Sequence, residues 1–310
     1  NPCTLCGEAR LRFKLEFNEH SDKLKSGERK AYSMKKTLSL LLIALLVFSL
    51  LAGCGQQTVS TPDTQSAASI PSEPTVPSME EPEETQQTFP GKKFLIAIDP
   101  GHQRKKNHDK EPLGPGSDEM KNKVSSGTQG VATGLKEYEL NLQVSLKLRD
   151  ELIARGYEVL MIRTEHDVDI SNAQRAEVAN EARADAFLRI HADGSDNASR
   201  TGAMTICMTE KNPYNAALHT DSLALSQLIV DQLCAETGTN NRGVWETDTM
   251  TGVNWSEVPV TIIEMGFMTN PDEDRLMASD DYQNKIVKGI ADGLDAYFAC
   301  MISCCHALKT

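Results

Sequence analysis

Short apolar runs alternate with helical patterns between residues 94 and 298, and this alternation restricts the possible folds more than any other feature. Each run spans five or six residues and is typical of a strand buried on both faces of a sheet. The segments between the runs carry apolar residues at the spacing of an amphipathic helix. The predicted strands are 94–98, 157–162, 186–190, 203–208 and 258–263, and the predicted helices are 137–155, 171–183, 218–236 and 282–298.

Two of the predicted helices have clear end signals. Leu140, Val144, Leu148 and Leu152 recur every four residues, and Gly156 follows as a helix-ending residue. Ser171 is a suitable N-cap for the next helix. Strands that alternate with helices in this way predict an α/β fold, in which helices flank both faces of a single mostly parallel or mixed sheet.

The segment before this domain has the layout of an export signal. Positive residues at 34–36 precede an apolar run at 38–51, and small residues then lead to Cys54. This order predicts a lipoprotein signal peptide at 34–53, with a lipid attached to Cys54. The alternative is a transmembrane helix, although a span usually needs about 20 apolar residues.

The rest of the chain is divided by its composition. Residues 1–33 precede the signal and are interpreted as an upstream, non-native segment. Residues 54–91 are rich in Pro, Ser, Thr and Glu, which predicts a disordered tether. A folded domain is predicted at 92–300, followed by a tail at 301–310. The expected location is therefore extracytoplasmic, with the domain anchored to the membrane and facing the cell wall.

Charge and cysteine content exclude some classes of protein. The formal net charge of −12 argues against a nucleic-acid partner, because phosphate binding needs a basic surface. The eight cysteines lie mostly near the chain ends, so disulfides are not expected to hold the domain together.

Three polar residues follow predicted strands and are the first candidates for a site. His102, His191 and Glu264 each come directly after a buried run, and Glu137 opens a helix. The carboxyl ends of strands in an open α/β sheet border the cleft in which ligands bind. The chain is therefore expected to bring these four residues together. Taken singly, each is more simply explained as an ordinary turn, loop or helix-end residue.

Two histidines and one carboxylate form a ligand set found in catalytic zinc sites, which leave a position for water. A second carboxylate nearby accepts a proton from the attacking water. Two other histidines, His108 and His166, lie in charged segments and are not expected to bind metal. The residue types thus favour zinc-dependent hydrolysis.

Four short blocks surround the candidate residues. They are Asp99-Pro-Gly-His102, Gly134-Leu-Lys-Glu137-Tyr-Glu-Leu-Asn141, Arg189-Ile-His191-Ala-Asp193 and Glu264-Met-Gly-Phe-Met-Thr-Asn270-Pro. These blocks resemble, in the same order, those of the zinc-dependent N-acetylmuramoyl-L-alanine amidases of the amidase 3 family. The resemblance covers nearly all of residues 94–298, and further matches are Arg163-Thr164, Arg175 with Ala179-Asn180, and Arg242-Gly243-Val244.

The resemblance implies Zn²⁺ ligands at His102, Glu137 and His191, with Glu264 as the catalytic residue. It also implies cleavage of the amide between N-acetylmuramic acid and L-alanine in peptidoglycan. Arg175 and Asn180 are further expected to support the site from behind the ligands.

Two departures from the family pattern are present. The loop 103–133 is longer than usual and either borders the substrate groove or is a mobile surface loop. Arg189 stands where a small residue is commoner.

Two other functions stay open on the sequence alone. One is a non-catalytic, wall-binding or regulatory lipoprotein of the same fold, and the other is a zinc peptidase that acts on the stem peptide. The sequence also leaves open the stem-peptide preference and whether a protein partner activates the enzyme.

Overall fold

The computed structural model describes residues 93–306. The predicted signal peptide, Cys54 and the tether lie outside the described residues, as does the end of the predicted tail. Among the described residues, no helix combines the length and apolarity needed to cross a membrane. The strands are β1 (Leu95–Pro100), β2 (Asn107–Pro112), β3 (Met120–Val124), β4 (Glu158–Met161), β5 (Ala186–Asp193), β6 (Ala203–Cys207), β7 (Asn241–Glu246) and β8 (Val260–Phe267), and the α-helices are α1 (Glu137–Ala154), α2 (Asn172–Glu181), α3 (His219–Thr237), α4 (Thr251–Asn254), α5 (Pro271–Met277) and α6 (Asp280–His306).

Six strands form one mixed sheet in the order β4-β1-β5-β8-β6-β7. The first four of these run parallel, whereas β6 pairs antiparallel with β8 and parallel with β7. β2 and β3 form a separate antiparallel hairpin. The central strands β5 and β8 are almost wholly buried, as expected for strands covered on both faces. The predicted fold class is confirmed.

The helices lie in two layers, and each layer packs on its own apolar cluster. The larger cluster contains Leu148 of α1, Ile229 of α3 and Ile290 of α6, together with Leu188 of β5. The smaller cluster contains Ala176 of α2 and other small or branched residues. Burial of apolar surface on both faces therefore fixes the sheet that carries the site.

Local sequence signals explain where several helices begin. Ser171 caps α2 by accepting a hydrogen bond from the Gln174 N–H, and Gln174 bonds back to the Ser171 N–H. Asn270 likewise caps α5 by accepting from backbone N–H groups, and Pro271 occupies the first turn of that helix. The two caps therefore fix where α2 begins, before β5, and where α5 begins, after β8.

Two predictions of element bounds were wrong in ways that matter for the site. β5 and β8 extend beyond the predicted ends, so His191 and Glu264 lie within these strands.

No strand was expected at β7, and the β2–β3 hairpin was expected to be a loop. Both segments are rich in polar residues and lack the apolar runs from which strands were predicted.

Candidate metal centre and catalytic cleft

His102, Glu137 and His191 come together at the end of the sheet. One ligand-type atom from each lies within 4.8 Å of the others. The Oε1 atom of Glu137 lies 3.0 Å from His102 Nε2 and 3.2 Å from His191 Nδ1. Two imidazoles therefore converge on one carboxylate, which is a donor set suited to a divalent metal ion.

His102 lies in the loop after β1 and has a left-handed backbone, with φ of 58°. This conformation is unfavourable for a residue with a side chain and persists where the surroundings enforce it. The Arg175 guanidinium donates to the His102 carbonyl oxygen at 3.2 Å. The His102 Nδ1 lies 3.1 Å from the Ser125 carbonyl oxygen. A proton on Nδ1 leaves Nε2 free to act as a ligand.

Glu137 is the first residue of α1, and its side chain is buried. The Thr128 N–H donates to Oε2 at 2.8 Å, and the Asn141 amide donates to Oε1 at 3.3 Å. Burial raises the pKa of Glu137, but the two neighbouring histidines outweigh it and hold the pKa below its usual range. The carboxylate is therefore charged and oriented before any metal binds.

His191 projects from β5 as a neutral imidazole. Burial lowers its pKa to about 4, although the hydrogen bond to Glu137 opposes this change. Its Nε2 atom is buried without a hydrogen-bond partner among the described residues, which is unfavourable unless a bound group satisfies the ring. A Cβ at Gly101 would lie 2.3 Å from the ring, so only glycine allows the β1 loop to pack on His191.

Gly127 covers the other two ligands. A Cβ there would lie 2.6 Å from Glu137 Oε2 and 2.9 Å from His102 Cδ2, and the backbone has φ of +73°. Glycine alone fits both the conformation and the space.

A buried ionic network fixes the β1 loop from behind. The Asp99 carboxylate accepts hydrogen bonds from Arg175 at 2.6 Å and from Arg189 at 3.0 Å. Burial raises the pKa of Asp99, but the two guanidiniums hold it well below its usual range. Arg163 adds bonds to the carbonyl oxygens of Pro100 and Gly101. This network over-determines the loop, which explains how the strained His102 is retained.

Glu264 faces the same cleft from β8. It pairs in direct register with His191 on the adjacent parallel strand, so the two side chains leave the sheet on the same face. Its Oε2 atom is buried without a hydrogen-bond partner within residues 93–306. Burial raises the pKa of Glu264 well above its usual range, and the nearby Glu137 and Asp193 carboxylates add to this rise. A carboxyl group with a raised pKa is suited to accept a proton and to donate it again.

The four residues border one open cleft of about 710 Å³. Its walls are mostly polar, and the segments after β3 and β5 form its sides. The other lining residues are Ser125, Ser126, Gly127, Thr128, Ala192, Asp193, Gly194, Ser195, Asp196 and Thr269. An open polar cleft suits a large, hydrophilic substrate.

The remaining residues singled out from the sequence occupy different places. Arg175 contacts the ligand loop directly, through the His102 carbonyl oxygen. The Asn180 side chain instead bonds to the backbone of Trp255 and Glu257. Arg189 lies on β5 two residues before His191, and its guanidinium forms an ion pair with Asp99.

The long loop 103–133 has two parts. Its first part forms the β2–β3 hairpin, which the Trp255 indole holds by donating to the Pro112 carbonyl oxygen. Its second part, residues 125–128, lines the cleft and bonds to His102 and Glu137. Sequence reasoning missed Ser125, Thr128 and Asn141 as supports. Of these, only Asn141 had a usable signal, because it lies one helical turn after Glu137.

Known proteins that are similar to this chain are described as N-acetylmuramoyl-L-alanine amidases. A family model described as N-acetylmuramoyl-L-alanine amidase, Amidase_3, matches residues 96–296. The chain is 32% identical over 168 residues to the amidase LytC of Bacillus subtilis, an alignment that covers 54% of this chain and 32% of LytC. It is 28% identical over 210 residues to the amidase Rv3717 of Mycobacterium tuberculosis, covering 64% of this chain and 85% of that protein.

A solved structure supports the match in three dimensions. The N-acetylmuramyl-L-alanine amidase Ami1 from Mycobacterium smegmatis superposes with a TM-score of 0.60 at 26% identity, covering 66% of this chain and 97% of Ami1. The family model spans the sheet, the helices and all four cleft residues. The chain therefore belongs to the Amidase_3 family, the N-acetylmuramoyl-L-alanine amidases.

Proposed function

We propose that this protein is a zinc-dependent hydrolase of the amide bond between N-acetylmuramic acid and the L-alanine of the peptidoglycan stem peptide. Family membership supports the reaction, and the convergence of His102, Glu137 and His191 beside Glu264 is the observation that carries the mechanism.

The described residues fit a zinc ion. Two imidazole donors and a charged carboxylate match a common ligand set for catalytic zinc. The approach of His102 Nε2 and His191 Nδ1 to one Glu137 oxygen, and the space left by the glycine at 127, are also consistent with a group bound between the three side chains. When bound, zinc lowers the pKa of a coordinated water to about 7 and polarises the substrate carbonyl.

Glu264 supplies the proton transfers in this mechanism. Its side chain lines the cleft, where the carboxylate accepts a proton from the water that attacks the amide carbonyl. The same carboxyl group then donates that proton to the leaving nitrogen, so that the amine departs neutral. Its raised pKa makes the protonated form accessible for the second step. Glu137, already held by Thr128 and Asn141, stays ionised throughout.

A digest of purified peptidoglycan tests the reaction. The protein should release stem peptides with a free L-alanine amine, identified by mass, and Glu264→Ala should abolish the release without loss of fold. Peptide fragments cut within the stem would instead indicate a zinc peptidase. Intact peptidoglycan with stoichiometric binding would indicate a wall-binding protein without activity.

We also propose that the protein acts outside the cytoplasm, tethered through a lipid on Cys54. The order of basic residues, apolar run and small residues before Cys54 supports this location. Labelled palmitate should enter the protein in a bacterial host, and Cys54→Ala should prevent the labelling. Unlabelled, secreted wild-type protein would contradict the anchor.

A further inference from the structure

Two arginines share one aromatic ring at the Asp193 end of the cleft. The Cζ atoms of Arg200 and Arg242 lie 5.5 Å and 5.4 Å from the centroid of the Phe267 ring. Phe267 pairs in register with Asp193, which lines the cleft. The two guanidiniums therefore lie beside the catalytic cleft, although they come from a loop and from a different strand.

The backbone is shaped to bring Arg242 to this position. Ala203 of β6 pairs with Asn241 of β7, and Thr205 pairs with Val244. One residue thus separates the pairs on β6 and two separate them on β7, so β7 contains a bulge. Bulges redirect side chains and are frequent beside active sites. Gly243 takes a left-handed conformation in the bulge, with φ of 75°.

Opposite the bulge, Gly202 leaves room for the arginine side chain. A Cβ at Gly202 would lie 3.0 Å from Arg242 Cγ and 2.4 Å from the Asn240 carbonyl oxygen. The φ of +107° and the close Asn240 carbonyl oxygen favour glycine at position 202, and the absence of a side chain there also leaves room for Arg242.

The charges of the two arginines are not neutralised by a close partner. Within residues 93–306, no carboxylate oxygen lies in ion-pair distance of either guanidinium, whereas Arg155, Arg175 and Arg189 all have such partners. Asp193 is a half-buried acidic residue of the cleft, near Arg200 and Arg242. Burial raises the pKa of Asp193, and the charges of the two guanidiniums oppose that rise. Two guanidiniums that contact the same Phe267 ring and have no carboxylate partner are therefore available to an anion.

We propose that Arg200 and Arg242 bind a carboxylate of the stem peptide, so that the Asp193–Phe267 end of the cleft receives the peptide side of the scissile amide. This inference rests on the proposed function. The lactyl carboxyl group of the sugar is consumed in the amide and carries no charge, whereas the peptide has at least its terminal carboxylate.

Matched substrates test this assignment. The substrates are soluble muropeptides that differ only in the stem carboxylates, which are either free acids or amides. Each substrate is assayed with the full-length wild-type protein, with Arg200→Gln, with Arg242→Gln and with the double variant. The double variant should lose about 10- to 100-fold in kcat/KM on the acid, mainly through KM, because charge-assisted hydrogen bonds are lost. Activity on the amide should change little, and the double lysine variant should recover part of the loss on the acid.

Arg275→Gln is the control, since Arg275 is exposed on α5 and its ion pair with Asp272 is local. Its kinetics should equal those of the wild type on both substrates. An equal loss of the double variant on acid and amide would indicate a structural role and overturn the proposal. Equal use of both substrates by the wild type would also overturn it.

A binding experiment separates this inference from the proposed function. Calorimetry with the released peptide, as acid or amide, is carried out on Glu264→Gln and on the same variant lacking both arginines. Binding that requires both the free acid and the two arginines supports the subsite. If the wild-type protein nevertheless cleaves neither muropeptide, the amidase activity is refuted and the subsite is not. Inorganic phosphate that competes as well as the peptide acid would refute a peptide-specific subsite.

Discussion

Glu264 and His191 stand side by side on adjacent parallel strands, in direct register across β8 and β5. One is a carboxyl group with a raised pKa, and the other is an imidazole with a lowered pKa. Burial shifts both groups toward their neutral forms. The proposed proton acceptor and one proposed metal ligand are thus held on adjacent strands of one sheet, about one strand spacing apart.

Replacement of Glu264 by glutamine tests its role in proton transfer. The amide keeps the size of the side chain but cannot accept and return a proton, so kcat should fall by about 10²- to 10⁴-fold. Zinc content should be unchanged, because Glu264 is not among the three ligands. Steady-state kinetics and metal analysis on the same preparation measure both. A variant with wild-type kcat would exclude Glu264 as the proton acceptor.

Removal of metal should abolish activity while the fold remains. The ligands lie at the end of the sheet, whereas the apolar clusters that hold the domain lie between the sheet and the helices. Added zinc should stabilise the apo-protein by about 2.7 kcal/mol at a concentration 100 times its Kd. Circular dichroism and thermal unfolding with a chelator, followed by readdition of zinc, measure this effect. Full activity in a protein free of metal would contradict the mechanism.

The glycine that covers the ligands offers a test with a matched control. Gly127→Ala would place a methyl group 2.6 Å from Glu137 Oε2, and we expect zinc affinity to fall by about 10- to 100-fold. Gly116 has almost the same backbone, with φ of +76° against +73°, but a Cβ added there would meet no described atom within 4 Å. Both variants carry the left-handed cost of about 1–2 kcal/mol.

Zinc competition with a fluorescent chelator compares the two glycine variants. Only Gly127→Ala should lose affinity, whereas both should unfold at a slightly lower temperature than the wild type. Equal zinc affinity of the two variants would show that residue 127 does not approach the ligands in solution.

Asp99 should make the stability of the protein depend on acid pH. Its pKa is lower in the folded protein than the ordinary value of 3.8, so the folded state binds fewer protons than the unfolded state. The stabilisation is therefore complete above about pH 4 and is lost as the pH falls further. Asp99→Asn leaves two buried guanidiniums without their partner and should cost about 3–5 kcal/mol at pH 7.

Denaturant unfolding of the wild type and Asp99→Asn at about pH 7 and pH 3 measures this dependence. The difference in unfolding free energy between the two proteins should shrink toward the lower pH. A difference that is the same at both pH values would indicate that Asp99 acts by packing rather than by charge.

Much of the fold could be predicted because its signals are local. The four-residue spacing in α1 and the cap at Ser171 both depend on neighbouring residues, and the described helices begin near the predicted positions. The β2–β3 hairpin and β7 could not be predicted in this way. Their strands are rich in polar side chains, and β7 is a sheet edge, so neither shows the apolar pattern of a buried strand.

The sequence alone determined the class of fold, through the periods of its apolar residues, and pointed to four chemical groups through short ordered blocks. The tertiary structure decided how those groups meet. Contacts such as those of Asp99 with Arg189 and of His102 with Ser125 join residues 90 and 23 positions apart. Strand order and register, which arise from packing of the whole domain, set these distances, and no local pattern encodes them.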